Sequence, residues 1–177
     1  MPHIALPEGV PRIRSGFAFR PATAAPLLDL AEVLLRGDNT LSRGDREIIA
    51  SYVSQRNECN FCRRSHSAFA AQQTNGGAPA VEAVLNDPVT APISPKLRAL
   101  LGVAAKVQQS GRAVTEADIA AARDAGATDV EIHDTVLIAA AFCMYNRYVD
   151  GLAVLTPPEG DESYELGAQR VVAEGYR

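Results

Sequence analysis

The sequence predicts an all-α fold, a single-domain helical bundle, on three observations. Apolar residues recur at helical spacing in several segments separated by short polar breaks. Capping residues (Ser42, Ser94, Thr115 and Thr128) stand just before these segments. No segment shows the strict apolar–polar alternation of a half-buried strand.

In chain order, residues 1–22 carry Pro2, Pro7, Pro11 and Pro21 and read as an irregular N-terminal arm. A helical domain follows over 23–156. Its first helix runs from near Ala24 to about Arg36, with Leu27, Leu28, Leu30, Val33, Leu34 and Leu35 as a wide apolar face, and Gly37-Asp38-Asn39 stops it. Ser42 caps the next helix, expected over 43–56, with Asp45 at the capping-box spacing and Ile48, Ile49, Tyr52 and Val53 as its buried stripe. Asn57-Glu58-Cys59-Asn60 reads as a break, followed by a helix over roughly 59–73 that Asn75-Gly76-Gly77 ends. A short helix around 78–85 stops at Asp87-Pro88. Ser94 caps a helix over 95–109, with Pro95 in the favoured first position and Gly111 closing it. Thr115 starts a helix to about Ala125. Thr128 starts the last, with Asp129 and Glu131 favourably placed against the helix dipole, extending to about Leu155 before Pro157-Pro158. Residues 157–177 read as a polar C-terminal tail.

With 177 residues the chain is long enough for one domain with a substantial core. A net charge of −4 and the lack of a basic stripe argue against a nucleic-acid partner. No apolar run is long enough to span a bilayer, and the first residues lack the basic and apolar regions of a signal peptide. A cytoplasmic protein is the expectation, in a compartment where structural disulfides are rare.

Three cysteines, two of them in Cys59-x-x-Cys62, do not form a secreted disulfide framework. On a helix beginning at Cys59, Cys62 lies three residues on and His66 four beyond that, so all three share a face. A cysteine and a histidine so placed can exchange a proton, and the cysteine pair can close a disulfide with modest adjustment. The first helical turn favours a thiolate, the attacking species, and Arg63 and Arg64 can add positive potential. This dipole argument favours Cys59 as the more acidic thiol. Glu47 precedes Cys59 by twelve residues. On one unbroken helix the two would be roughly a third of a turn apart, so they converge only if the chain bends between Asn57 and Asn60. Glu47 shares a face with Ser54 and, beside Ile48 and Ile49, is expected to be partly buried and suited to proton relay.

Other readings of these residues stay open. The pair can be half of a zinc site, which would have to recruit from Cys143, His66, His3 and His133, or simply two inert core cysteines. Cys143 reads as core, His133 as a surface or packing residue. Arg147, late in an apolar helix beside Asn146, suits an ion pair inside the domain or at a subunit contact.

Glu47, Ser54, Asn57, Cys59, Cys62 and His66 fit E-x(6)-S-x(2)-N-x-C-x(2)-C-x(3)-H. This pattern resembles the signature of alkylhydroperoxidase D-like proteins of the carboxymuconolactone decarboxylase superfamily, most closely its peroxidase-related branch. Arg20-Pro21, Leu34-Leu35-Arg36-Gly37, Leu41-Ser42 and Asn146-Arg147 extend the resemblance over most of 15–155. It implies a helical bundle of the alkylhydroperoxidase D-like type, a homo-oligomer (often a trimer or hexamer), and an antioxidant peroxidase needing no cofactor or metal. In that role Cys62 would attack hydrogen peroxide or an organic hydroperoxide, Cys59 would resolve the sulfenic acid as a disulfide, and His66 and Glu47 would relay protons. An external dithiol or redox protein would restore the pair. The best-known members carry a second histidine between the cysteines. Here that position is Phe61, so the relay would run through His66 alone. Glu58 replaces a small residue before the first cysteine, and a carboxylate turned inward there would oppose thiolate formation. Lactone decarboxylation of the superfamily's other branch, and a non-enzymatic redox-sensing oligomer, are the competing functions.

Overall fold

The computed structural model describes residues 1–7, 9–10 and 13–177. Among them the chain forms nine α-helices and one 3₁₀ turn, with no strand. The helices are α1 (Ile13–Phe19), α2 (Pro21–Arg36), α3 (Arg43–Arg56), α4 (Asn60–Ala71), α5 (Gly77–Asn86), α6 (Pro95–Gln109), α7 (Glu116–Asp124), α8 (Asp129–Gly151) and α9 (Ser163–Glu174). None is long and apolar enough to cross a membrane.

The capping residues act where expected. The Ser42 hydroxyl accepts from the Asp45 amide at 3.0 Å, and Ser94 accepts from the Leu97 amide at 3.1 Å. Full capping boxes form at Thr115–Asp118 and Thr128–Glu131. Glu131 does more than complement the dipole. It is fully buried, and it accepts hydrogen bonds from Lys96 (2.7 Å), Thr40 (2.7 Å) and the Thr128 amide (2.8 Å). Burial pushes its carboxyl up, but these donors outweigh it and hold it down to about 2.

α3 is the central helix. It packs along α4 and also meets α8 and α6. Its apolar stripe (Ile48, Ile49, Val53) joins Leu35, Leu100, Leu101 and Ile138 in the main core. A second cluster gathers Cys59, Phe61 and Cys62 against Val149, Val154 and Tyr164. Gly44 permits the tight α3–α4 approach, because a Cβ there would sit 2.6 Å from the Gln73 carbonyl oxygen.

Three expectations need correction. The arm is not irregular throughout, since Ile13–Phe19 is helical and α2 already starts at Pro21. The prolines flank α1 instead of interrupting it, and Ile13 packs against both core clusters. The irregular reading of residues 8, 11 and 12, including Pro11, lies outside the described residues. α8 ends at Gly151 and not near Leu155, with Ala153 turning at φ +48°. The polar tail contains α9, which lays Ala168 and Val171 against Phe69 of α4.

Candidate active site

The break between α3 and α4 makes the site. Glu58 takes a left-handed φ of +58°, and the Cys59 amide bonds back to the Ser54 carbonyl at 3.0 Å. The chain reverses, and α4 runs back along α3. Ser51 Oγ donates to the Arg63 carbonyl (3.1 Å) and pairs with Ser67 Oγ (2.7 Å). The same reversal brings Glu47, near the start of α3, to His66 on α4, with Nδ1 and Oε2 2.7 Å apart. Glu47 is only 1% exposed. An ionised carboxylate only accepts, so Nδ1 carries the proton of this bond and Nε2 is left as the free ring nitrogen. Aromatic rings fix the imidazole: Phe142 and Phe69 meet it edge-on at 4.6 and 5.0 Å between centroids, and Tyr176 stacks on it at 6.2 Å.

Tyr176 was not visible as a site residue in the sequence. Its hydroxyl donates to the second Glu47 oxygen at 2.5 Å, so the carboxylate is held from both sides. Burial first, then Glu47, pushes the phenol well above its ordinary range, which keeps it a donor. The tail is clamped to α2. Arg36 donates to the Val171 and Val172 carbonyls at 2.8 and 3.2 Å, and the Tyr176 amide donates to Glu32 at 2.8 Å. Gly175, at φ +91°, passes so close to Glu32 that a Cβ would lie 2.6 Å from its carboxylate.

Cys59 is the N-cap of α4 and fully buried, while Cys62 lies in its first turn and is 3% exposed. The neighbouring Cys59 thiol first, then burial, pushes the Cys62 thiol well above its usual range, while the Asn146 side chain pulls the other way. Asn146 is itself held by a buried chain. Gln108 donates to Asn57 (2.8 Å), Asn57 to Asn146 (2.8 Å), Asn146 to Ser54 (3.0 Å), and Ser54 to the Ala50 carbonyl (2.8 Å). Ser54 and Asn57 thus support the cysteines from below, through α8.

A cavity of about 640 Å³ opens above the pair. Cys62, His66, Phe61, Phe69, Phe142 and Tyr176 line its floor, and α1, α2 and α9 supply the remaining walls. Cys62 reaches this cavity and Cys59 does not. Phe61, between the two cysteines, is part of the apolar lining.

Several residues fall outside the site. Arg63 and Arg64 turn toward Glu159, at 3.8 and 3.6 Å, and add little field at the thiols. Glu58 is exposed and faces away, beside Gln55, Asn60 and Arg63. Cys143 is half-buried, 3.5 Å from the Asn57 amide nitrogen. His133 is exposed and pairs with Asp134. Arg147 is exposed and bonds the Cys143 carbonyl one turn back, instead of a carboxylate. Among the described residues no three His, Cys, Asp or Glu side chains converge to hold a metal ion.

Comparison with known proteins agrees with this architecture. A peroxidase-related protein of uncharacterised function from Silicibacter sp. TM1040 superposes with a TM-score of 0.77 at 25% identity, over 93% of this chain and 80% of that one. A second, from Ralstonia eutropha JMP134 and described as an alkylhydroperoxidase AhpD core, gives 0.78 at 28% identity, over 89% and 81%. Among curated proteins, none matches. The family model of the carboxymuconolactone decarboxylase family matches residues 21–84 and 78–157. With most of its length matched and peroxidase-related proteins as structural neighbours, the chain belongs to the carboxymuconolactone decarboxylase family, on its peroxidase-related branch.

Proposed function

We propose that this protein is a thiol-dependent peroxidase, and one observation carries the reading. Cys62 faces a cavity together with a histidine whose other nitrogen is fixed by a buried glutamate, while Cys59 lies behind Cys62 within hydrogen-bond reach. Such a high thiol pKa calls for a base, and His66 Nε2 is the free nitrogen on the same helix face. His66 takes the Cys62 proton, directly or through water. The thiolate attacks one peroxide oxygen: an S–O bond forms, the O–O bond breaks, and the leaving alkoxide or hydroxide takes the proton back from the imidazolium. Cys62 is then a sulfenic acid and the peroxide has become an alcohol or water. Cys59 attacks that sulfur. An S–S bond forms, and the departing hydroxide takes the Cys59 proton and leaves as water. An external dithiol or redox protein reduces the disulfide by exchange.

Glu47 holds the imidazole tautomer and stabilises the transient imidazolium. Tyr176 holds Glu47, so the relay has a third member in place of a second histidine. The assembly in this reading is a cytoplasmic homo-oligomer, a trimer or hexamer. The test is peroxide consumption with a dithiol reductant, by wild type and Cys62→Ser side by side. Turnover that vanishes with the cysteine supports the reading; wild type inert toward peroxides of every size sinks it.

A further inference from the structure

The cavity above Cys62 is far larger than hydrogen peroxide requires. Its volume is about 640 Å³, whereas a water-sized molecule takes up ~30 Å³. Its walls are mostly aliphatic and aromatic, with Leu27, Leu28 and Phe17 facing the floor of Phe61 and Phe142. Into this apolar space come guanidinium groups. Arg14 of α1 and Arg170 of α9 both line the cavity, and among the described residues no Asp or Glu does. A third, Arg177, is already paired with Asp29 at 2.7 Å. Arg14 and Arg170 have no such partner among the described residues, and Arg170 is half-buried. This positive pair stands out in a chain of net charge −4. Arg14 is exposed, but the half-buried guanidinium of Arg170 beside apolar walls is partly desolvated without compensation, and a carboxylate arriving between the two supplies it in a charge-assisted bond.

We propose that the cavity takes an amphipathic carboxylic hydroperoxide. Its hydrocarbon body lies along the apolar walls, its carboxylate meets Arg14 and Arg170, and its peroxide group reaches Cys62. The redox part of this proposal rests on the peroxidase reading and follows the steps given above: the hydroperoxide becomes the hydroxy acid, and the two electrons come from the cysteine pair. The anion-binding part does not depend on turnover.

Two measurements separate the two. The first is binding of linoleate and of methyl linoleate, which share a hydrocarbon body and carry no peroxide. Linoleate is expected to bind about tenfold more tightly than the ester, the factor of one good charge-assisted contact. That preference should fall toward unity in Arg14→Gln/Arg170→Gln and persist in Arg170→Lys. The second is kcat/KM for linoleic acid hydroperoxide against its methyl ester, with the same expected ratio and the same loss. Equal binding of acid and ester by wild type overturns the proposal, whatever the peroxidase assay gives. So does a preference that survives the double substitution. A preference for linoleate in a protein that consumes no peroxide upholds the anion site and overturns the peroxidase reading instead.

Discussion

The α3–α4 hairpin is held by contacts close in sequence, whereas α1 and α9 dock through contacts that span most of the chain. Ser51 meets Ser67, and Glu47 meets His66, across one turn of the backbone. Tyr176 reaches the same Glu47 from 129 residues away, and Arg36 clamps the Val171 carbonyl from 135 away. The hairpin therefore carries Glu47, His66 and the cysteines on a rigid pair of helices with little loop entropy to offset, while the terminal helices wall the cavity and pay more for closure. In the proposed reading, chemistry centres on the first region, with Tyr176 as its one support from the second, and substrate selection lies in the second.

The sharpest way to break that division is at Glu47. Glu47→Gln keeps the shape and removes the charge opposite the imidazolium, and peroxide kcat/KM should fall by about 10²–10⁴, the usual worth of a positioned acid–base pair. A loss smaller than the one at Tyr176 would place the relay in the terminal segment instead. The next effect is on pH dependence. In His66→Ala, where no internal base takes the proton, the oxidation rate should climb through pH 7 to 9, by up to about tenfold per unit, because Cys62 is held well above its ordinary range, whereas wild type should change far less. Cys59 contributes most to that rise. Adding Cys59→Ala to His66→Ala should therefore move the single-turnover pH profile to lower pH, and an unmoved profile would leave the thiol contact without a role.

Tyr176→Phe tests the terminal region with a single atom. It leaves the ring stacked on His66 and removes the donor to Glu47. Activity should drop about tenfold, consistent with a charge-assisted hydrogen bond of ~1.5–3 kcal/mol, with thermal stability changed less than in Arg36→Ala, which frees the clamp on α9. The smallest effect is expected at the hairpin's own strained point. Glu58→Gly relieves the left-handed φ and should change stability by ~1 kcal/mol or less, since lost strain is offset by a more flexible unfolded chain.

Much of the hairpin was legible in the sequence because its signals are local. Ser42 announces α3, the apolar stripe fixes its buried face, and Asn57-Glu58 marks the break. The bend needed for Glu47 to approach the cysteine face could be named as a condition, although no residue type in that stretch identifies Glu58 as the left-handed one. The terminal helices were not legible for the opposite reason. α1 is short and bounded by prolines, and tertiary burial against Tyr148 and the core holds it in place of its own propensity. Tyr176 sits in a polar tail with nothing nearby to signal its contact with Glu47. Ser54, Asn57 and Asn146 were visible as single residues, but their hydrogen-bonded chain exists only once α8 packs on α3.

The central claim is that Cys62 is the sulfur that meets the peroxide. It is tested most directly by treating Cys59→Ala with one equivalent of an organic hydroperoxide and locating the sulfenic acid by trapping and mass spectrometry. Modification confined to Cys62 is the expected result, with Cys143 untouched. A sulfenic acid at Cys143, or none at Cys62, would contradict the account.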